Sequence, residues 1–508
     1  MRKIYPILSL SLAIFLVILC VDILLTGLFV GLPENKIIFF LIWLTVVFVA
    51  LFLLTMFCVY STLNSLVLFL IFVSVFAIRV FQKNNDFACN YENLPKKGEV
   101  YGYAISYPQL IGELKSEESN FQFLLRVTKM RNGSVFVPVK PFVLQVNCRN
   151  VTGNEVFCWG TYRVAGRLRL NKSIYYMNKN CVGRMNAHSV VQIDKYMHPM
   201  LKVGIARAKL LNKIKNSLSL QSVAFVTAVF FGNRSYIEPE MMKSWQDSGL
   251  THLLAVSGFH VGVLAMLVQF CLRRFFSRTF SSAVTLIVLT IFGLFLNISA
   301  SSLRAILMYF VLVINNEMGI SCGKLHSLSV AGIILLFINP YSVYDYGFIL
   351  SFCAVAGILL FANKIVPEKD CIPLFLYNII SGSAVCVAAF GTTALFQCAW
   401  FGQLPIFSVI TSPFVCLIFS YVFIVLLVCI LLAVIFPNAT ICCVIIEWVS
   451  GKFLDIVRIL EKVPPIKIEN VPLYMGFIMF LGLFLSFYIV QPVYSIVKRK
   501  IALKKIKS

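Results

Sequence analysis

Residues 405–436 read PIFSVITSPFVCLIFSYVFIVLLVCILLAVIF, without one charged side chain. An apolar run of about 18 or more residues is long enough to cross a bilayer as a helix. Outward from it, further hydrophobic blocks lie at 7–31, 37–60, 64–81, 250–271, 282–299, 301–318, 325–339, 344–362, 374–397, 440–460 and 472–492. The whole chain is 59% hydrophobic and 13% charged, whereas a soluble domain runs at roughly 45–50% and 25%. This composition excludes a soluble enzyme of ordinary make-up and a disordered chain. It predicts a polytopic α-helical membrane protein with about 10–12 transmembrane helices. Two blocks carry special expectations. Thr411-Ser412-Pro413 predicts a discontinuous helix, since proline leaves backbone groups unpaired. The charges in 440–460, Glu447, Lys452, Asp455 and Arg458, predict a helix lying in the membrane interface.

The chain nonetheless carries a net charge of +23 over 508 residues. Residues 82–220 hold 21 Lys+Arg against 8 Asp+Glu and no spanning run. Lys and Arg in short loops mark the cytoplasmic side. By that rule Arg2, Lys3, Arg273, Arg274, Arg278, Lys364, Lys369 and the basic tail are cytoplasmic, and three leading spans place the 82–198 domain outside. The expected organisation is N-terminal helices over 1–81, a β domain over 82–198, amphipathic helices over 199–249, a helical core over 250–492 and a basic cytoplasmic tail over 493–508.

The 82–198 segment reads as β. Gly98–Tyr107, Phe121–Met130, Val135–Val146, Val156–Leu170 and Ile174–Met177 are short runs rich in Val, Phe and Tyr, separated by Gly, Asn and Ser. Along 163–170, Arg163, Arg167 and Arg169 alternate with Val164, Leu168 and Leu170, giving one basic and one apolar face. Such a pattern fits a small extracytoplasmic barrel of the oligonucleotide-binding (OB) type. Its basic face, with Tyr101, Tyr103, Trp159 and Tyr162 as stacking candidates, suits DNA binding; the bland alternative is that some of these aromatics are core. Cys89, Cys148, Cys158 and Cys181 permit one or two disulfides in such a compartment, with Cys148 and Cys158 a plausible pair. Over 200–218, Leu201, Ile205, Ala208, Leu211, Ile214 and Leu218 form an apolar stripe beside Lys202, Arg207, Lys209, Lys213 and Lys215. A helix of that kind is expected on the lipid surface.

Residues 230–263, FFGNRSYIEPEMMKSWQDSGLTHLLAVSGFHVGV, concentrate the polar chemistry. On a continuous helix His252, Val256 and His260 share one face. Asp247, His252, Ser257 and His260 could form a polar lining of a translocation path, a buried hydrogen-bonded cluster, or a Ser-His-Asp triad, although no Gly-x-Ser-x-Gly elbow surrounds Ser257. The two histidines stand ~12 Å apart along such a helix, too far to share a metal, so neither a metal nor a cofactor is expected. Arg304 inside an apolar helix needs a partner or water, and Asp345 and Glu317 are candidates. Gln397, Asn297 and Asn339 extend the list of intramembrane polar groups.

These residues carry a resemblance. Gly232-Asn233-Arg234, Asp247-Ser248-Gly249-Leu250, His252 through His260, Ser302-Leu303-Arg304-Ala305, Asn339-Pro340-Tyr341, Tyr346 through Phe352 and Phe401-Gly402-Gln403-Leu404-Pro405 occur in the order found in the ComEC family. That family comprises membrane channels through which competent bacteria take up single-stranded DNA. The resemblance implies a multi-pass protein of the bacterial inner (plasma) membrane that passes single-stranded DNA inward, a transport channel and not an enzyme. It further implies membrane lipids, a DNA receptor and a cytoplasmic helicase or ATPase as partners, and a possible homodimer. Asn233 and Ile349 depart from the usual Asp and Gln. Many members add a C-terminal metallo-β-lactamase-like domain. With about 16 residues after the last block and no His-x-His-x-Asp-His cluster, the expectation is a form lacking it, any nuclease being a separate protein. The rival expectation is a small-molecule or lipid-handling transporter with a basic lipid-binding surface.

Overall fold

The structure is a computed structural model. It describes residues 97–106, 109–111, 120–132, 135–149, 159–170, 181–193, 201–254 except 235, 257–296, 300–318, 324–362, 365–366, 373–436 and 440–468, with isolated positions to 482. The expected spans at 7–31, 37–60 and 64–81, the tail at 493–508, and Cys89 and Cys158 lie outside the described residues. The described residues fall into two compact units. One takes in those up to Lys243, Thr251–Phe348 and Ser420–Ile456; the other holds Ser244–Leu250, Ile349–Phe419 and those from Val457 on.

In the first unit six strands form the β domain: β1 Lys97–Ala104, β2 Gln109–Ile111, β3 Asn120–Asn132, β4 Val135–Arg149, β5 Thr161–Leu170 and β6 Cys181–Gln192. The order β1-β5-β6-β4-β3 is closed by a β1–β3 pairing, so five strands make a barrel and β2 pairs with β3 at its edge. Every pairing is antiparallel except β4 with β6. Alternation along the strands fills the interior with Val100, Phe123, Leu125, Val127, Leu144, Val146, Val164, Leu168 and Met185. At Gly102 a Cβ would run into the Arg126 carbonyl of β3, and the β1–β3 register shifts there, so the absent side chain lets the barrel close.

Four strands lie where period-two alternation predicts them. The last one does not: the barrel is completed by β6, while the expected Ile174–Met177 strand lies outside the described residues. The sequence CVGRMNAHSVVQ alternates in burial only over its first half, so its signal is weak. Arg163, Arg167 and Arg169 point outward as expected, but Leu170 is exposed and Tyr162 is buried in the core against Phe123. Tyr162 is therefore removed from the stacking candidates.

Cys148 faces the interior, and its thiol donates to the Phe121 carbonyl at 3.5 Å. Cys148 pairs in register with Ala187 and Cys181 with Val143, so the two cysteines stand at different levels and do not bridge each other. Burial pushes the Cys148 thiol up to about 11. Thiolate is the reactive form, so at pH 8 Cys148 should resist maleimide in the folded protein and react once denatured. Equal rates in both states, read by peptide mass spectrometry, would contradict this burial.

Two helices follow, α1 Leu201–Ser217 and α2 Leu220–Phe231. Arg207 of α1 reaches the end of α2, so the pair runs antiparallel. Ser219 caps α2 at its start, and Gly232, at φ 62°, ends it with its N–H on the Ala228 carbonyl. After them come α3 Pro239–Asp247, α4 Thr251–Leu254, α5 Gly258–Leu272, α6 Arg278–Leu296, α7 Ala300–Glu317, α8 Lys324–Ile338, α9 Tyr346–Gly357, α10 Leu374–Phe401, α11 Ser408–Ile435 and α12 Thr440–Leu460. Short strands β7 Gln403–Leu404 and β8 Ile466–Lys467 pair within the second unit.

Among the described residues three helical segments are long and apolar enough to cross a membrane: Arg278–Phe295, Ile379–Phe401 and Ser408–Ile435. Leu220–Phe231, Gly258–Leu272, Lys324–Ile338 and Tyr346–Ala362 are shorter apolar segments. Pro413 lies in the second turn of a continuous α11, which corrects the expected break. A proline there forfeits one backbone bond near the start, where the helix has little to lose.

Two of the basic side chains of α1 turn inward. Arg207 is 1% exposed. It donates to the Phe231 carbonyl at 2.6 Å and the Phe295 carbonyl at 2.7 Å, with its guanidinium 5.2 Å from the Phe231 ring centroid. Lys213 donates to the Ala433 carbonyl at 2.6 Å. The basic side chains of α1 thus cap the C-terminal ends of α2, α6 and α11, where a cation meets both orphan carbonyls and the negative dipole end. Helix α12 packs on α2. Its Glu447 accepts from the Ser219 N–H at 3.0 Å, and Phe453 stacks on Phe225.

Candidate functional site

The outer face of the barrel gathers the basic and aromatic residues. Tyr101 and Tyr103 on β1 alternate with inward Val100 and Ala104 and are half-buried. In register, Tyr101 sits between Lys129 on β3 and Arg163 on β5, with the Lys129 ammonium 5.7 Å from its ring centroid. Tyr103 sits beside the exposed Arg126 and stacks on Trp159 at 6.0 Å. Trp159 adopts φ 68°, a left-handed conformation uncommon outside glycine. Its N–H donates to the Ala104 carbonyl at 2.6 Å, fixing the ring over Tyr103. Arg167 lies opposite Lys97, and Arg169 opposite Arg184 of β6. Like charges directly opposite across strands destabilise a sheet by roughly 0.2–1 kcal/mol per pair. Arg126, Lys129 and Arg184 belong to this face and were missed in sequence, although outward alternation on β3 and β6 carries their signal.

In the helical part of the first unit, α4 and α5 are separate helices. Ser257, extended at φ −111° and ψ 170°, is the N-cap of α5. This corrects the shared face expected of His252 and His260: His252 is exposed on α4 and His260 is 0% exposed on α5. Ser257 and His260 form a capping box, in which the Ser257 Oγ accepts from the Phe259 N–H at 3.2 Å. The His260 Nδ1 accepts from the Ser257 N–H at 3.2 Å. Because a backbone N–H can only donate, Nδ1 is the acceptor and a neutral ring keeps its proton on Nε2. The serine oxygen is occupied in capping, which argues against its use as a nucleophile. The His260 ring stands edge-on to Phe423 at 5.2 Å, and Phe423 stacks on Phe230 at 4.9 Å.

Arg304 joins this cluster. It is 3% exposed, its Nη2 donates to Ser301 Oγ at 3.3 Å, and a Cβ on Gly258 would stand 3.3 Å from that Nη2. The Ser257–His260 and Ser302–Ala305 stretches, 45 residues apart in sequence, therefore meet at the start of α5. Arg304 lies within the first two turns of α7 and beside the first residue of α5, so three sources of positive potential converge. Glu317 is not its ion partner. It lies about 20 Å further along α7 and accepts from Thr279 Oγ1 at 3.0 Å. Asp345 caps α9, its Oδ1 accepting from the Gly347 N–H at 2.8 Å.

Asp247 and Gln397 belong to the second unit. Asp247 ends α3. The turn after it needs Gly249, at φ 72°, where a Cβ would stand 2.6 Å from the Ser408 Cβ and 2.8 Å from Pro405. The 247–250 and 401–405 stretches thus meet there. Gln397 donates to Thr393 Oγ1 on its own helix at 2.9 Å. Thr392 donates to the Cys353 carbonyl at 2.9 Å. Asn297 lies outside the described residues. Among the described residues no group of three His, Cys, Asp or Glu could hold a metal ion.

Comparison with known proteins places these stretches in one family. The family model described as Competence protein matches residues 229–493. ComE operon protein 3 of Bacillus subtilis (strain 168) is 27% identical over 219 residues, covering 39% of this chain and 28% of that protein. Recombination protein 2 of Haemophilus influenzae is 30% identical over 178 residues, 32% of this chain and 22% of that protein. An uncharacterised protein of Aquifex aeolicus is 29% identical over 154 residues, 30% of this chain and 36% of that protein. The chain thus matches roughly a fifth to a third of the length of each relative. No solved structure matches.

Proposed function

The chain belongs to the competence protein family, and from that premise we propose that it passes single-stranded DNA through the cytoplasmic membrane during DNA uptake. The observation that carries this reading is the outer face of the barrel. There β5 tolerates Arg167 opposite Lys97 and Arg169 opposite Arg184, beside the Tyr101, Tyr103 and Trp159 rings. A polyanion with exposed bases relieves the repulsion and offers faces to stack, at about 1–3 kcal/mol per base.

We read the barrel as OB type. Its closed order with one parallel pair, β4 with β6, supports that Greek-key topology. The sidedness is supported by α6. Arg207, within the first two turns of the helix that follows the barrel, reaches the C-terminal end of α6. The exposed Arg273, Arg274 and Arg278, with exposed Phe275, Phe276 and Phe280, lie at its N-terminal end. The 19 residues of α6 span about 28 Å, close to the hydrocarbon thickness. The basic turn then faces the cytoplasm and the barrel faces outward. Among the proposed path residues, His260 and Arg304 shape the conduit in the first unit, and Asp247 and Gln397 belong to the second.

Deleting the protein should abolish transformation while leaving small-molecule uptake intact; the reverse outcome would favour the transporter reading. Purified full-length protein should bind single strands with a log–log salt slope of about −0.7 per phosphate neutralised. Arg163→Glu with Arg167→Glu should make that slope shallower by about one to two such units. An unchanged slope would move the DNA contact off β5.

Trp159→Gly separates strain from binding. Glycine relieves the left-handed backbone by about 1–2 kcal/mol, so the melting temperature should hold or rise. Strand affinity should nevertheless fall by roughly 5- to 150-fold, the equivalent of 1–3 kcal/mol. A loss of both together would make Trp159 a folding residue.

A further inference from the structure

The turn between α5 and α6, Arg273-Arg274-Phe275-Phe276-Ser277, combines arginine with phenylalanine and leaves both in the open. Arg273, Arg274 and Arg278 are exposed, and Phe275, Phe276 and Phe280 are 80%, 50% and 50% exposed. The Phe276 and Phe280 rings lie 4.9 Å apart, so the aromatic surface continues from the turn onto α6. Among the described residues none of the three guanidiniums has a hydrogen-bond or ion-pair partner. From residue 248 to residue 316 the sequence holds no Asp or Glu. Glu317 comes to this end of α6, but its carboxylate accepts from Thr279 Oγ1 at 3.0 Å instead of pairing with an arginine.

Helix α6 sets the depth of this turn by its own length, without reference to a neighbour. Its 19 residues begin at Arg278 and carry no charge after it. They span about 28 Å, which leaves almost no slack in a hydrocarbon core of about 30 Å. With α6 across the bilayer, Arg278 stands at one edge of the core and the turn before it lies among the headgroups. The two faces of the helix define its surroundings. Ser281, Thr285 and Leu289 are buried against α5 and α7. On the opposite side Phe280, Ile287, Ile291 and Leu294 form one exposed stripe at helical spacing.

A ligand that matches this whole surface has an apolar chain for the stripe and an anionic head for the arginines. Guanidinium groups suit phosphate oxygens in particular, because their fork of donors fits them. A single-stranded nucleic acid also suits arginines and rings, but it has nothing to lay along Ile287, Ile291 and Leu294. We propose that the α5–α6 turn and the start of α6 bind an anionic phospholipid of the cytoplasmic leaflet. The Arg273, Arg274 and Arg278 guanidiniums hold its phosphate, and its acyl chains run along the stripe from Phe280. The site rests on α6 crossing the membrane with its basic turn inside, and on nothing about the cargo.

The first test uses the full-length wild-type protein in phosphatidylcholine nanodiscs doped with a photo-reactive phosphatidylglycerol. Crosslinks read by peptide mass spectrometry should fall within 266–287, and unlabelled phosphatidylglycerol should compete where phosphatidylcholine does not. Crosslinks spread over the other helices, or equal competition by the two lipids, would overturn the proposal before any variant is made. Arg273→Gln with Arg274→Gln and Arg278→Gln should lower the preference for phosphatidylglycerol by roughly 100-fold, about fivefold per arginine. The melting temperature in phosphatidylcholine should hold, since no described residue pairs with these side chains. Lysine at the same three positions keeps the charge and should keep most of the preference. An undiminished preference in the glutamine variant would sink the site. If that variant keeps the preference but loses affinity for single strands, the turn is a nucleic-acid contact and the lipid assignment falls. Wild-type transformation in a variant that has lost the preference leaves the lipid site standing, so its fate and that of the uptake reading are read separately.

Discussion

Arg207→Ala is expected to be the most damaging change to the folded protein. The guanidinium holds the terminal carbonyls of α2 and α6 at 2.6 and 2.7 Å and stacks over Phe231. Hydrogen bonds to charged groups contribute about 1.5–3 kcal/mol each, and an orphaned buried carbonyl costs about 1–3. These terms overlap, so a loss on the order of 3–5 kcal/mol is expected, as when one partner of a buried polar pair is removed. The yield of monodisperse detergent-solubilised protein should collapse, with a lowered melting temperature in what survives. Arg207→Lys keeps the charge but cannot fork to two carbonyls, so it should fall between. An unaltered melting temperature for the alanine variant would mean that the clamp contributes nothing.

Arg304→Met should show the opposite signature: uptake lost, fold kept. The Arg304 guanidinium lies against the first residue of α5 and within the first two turns of α7. Both sites are positive ends of helix dipoles, which disfavour a cation. Replacing it with an apolar side chain of similar length gives up the Ser301 hydrogen bond but removes that repulsion and the cost of burying the charge. Thermal stability should therefore hold or rise. If the cation attracts the strand, transformation should drop about 100-fold or more, equivalent to about 2.7 kcal/mol at 1.36 per tenfold. Retained transformation, or loss of stability in step with loss of uptake, would make Arg304 a packing residue.

The barrel was largely legible because its strands obey a two-residue period that survives without tertiary context. Val100, Phe123, Leu144 and Val164 turn inward where alternation puts them. What escaped is what depends on distant partners. Arg207 reads as one more cation beside an apolar stripe, yet its carbonyls come from residues 24 and 88 positions away. The buried face of α1 is accordingly Leu201, Gly204, Arg207, Leu210 and Ile214, rotated from the stripe that hydrophobicity alone suggests. At Ser257 an apolar run masks a helix boundary. The capping box there uses histidine where glutamate or glutamine is usual, so its signature is weak.

The clamp on α1 also has a consequence in time. Lys213 leaves the ribosome long before the carbonyl it caps, since its partner Ala433 lies 220 residues downstream. At about 5–20 residues per second, α1 waits roughly 10–45 s for that partner. Arg207 can clamp the end of α2 early, whereas the Lys213 ammonium stays solvated until then. Its final docking is a late step, completed only when α11 is inserted.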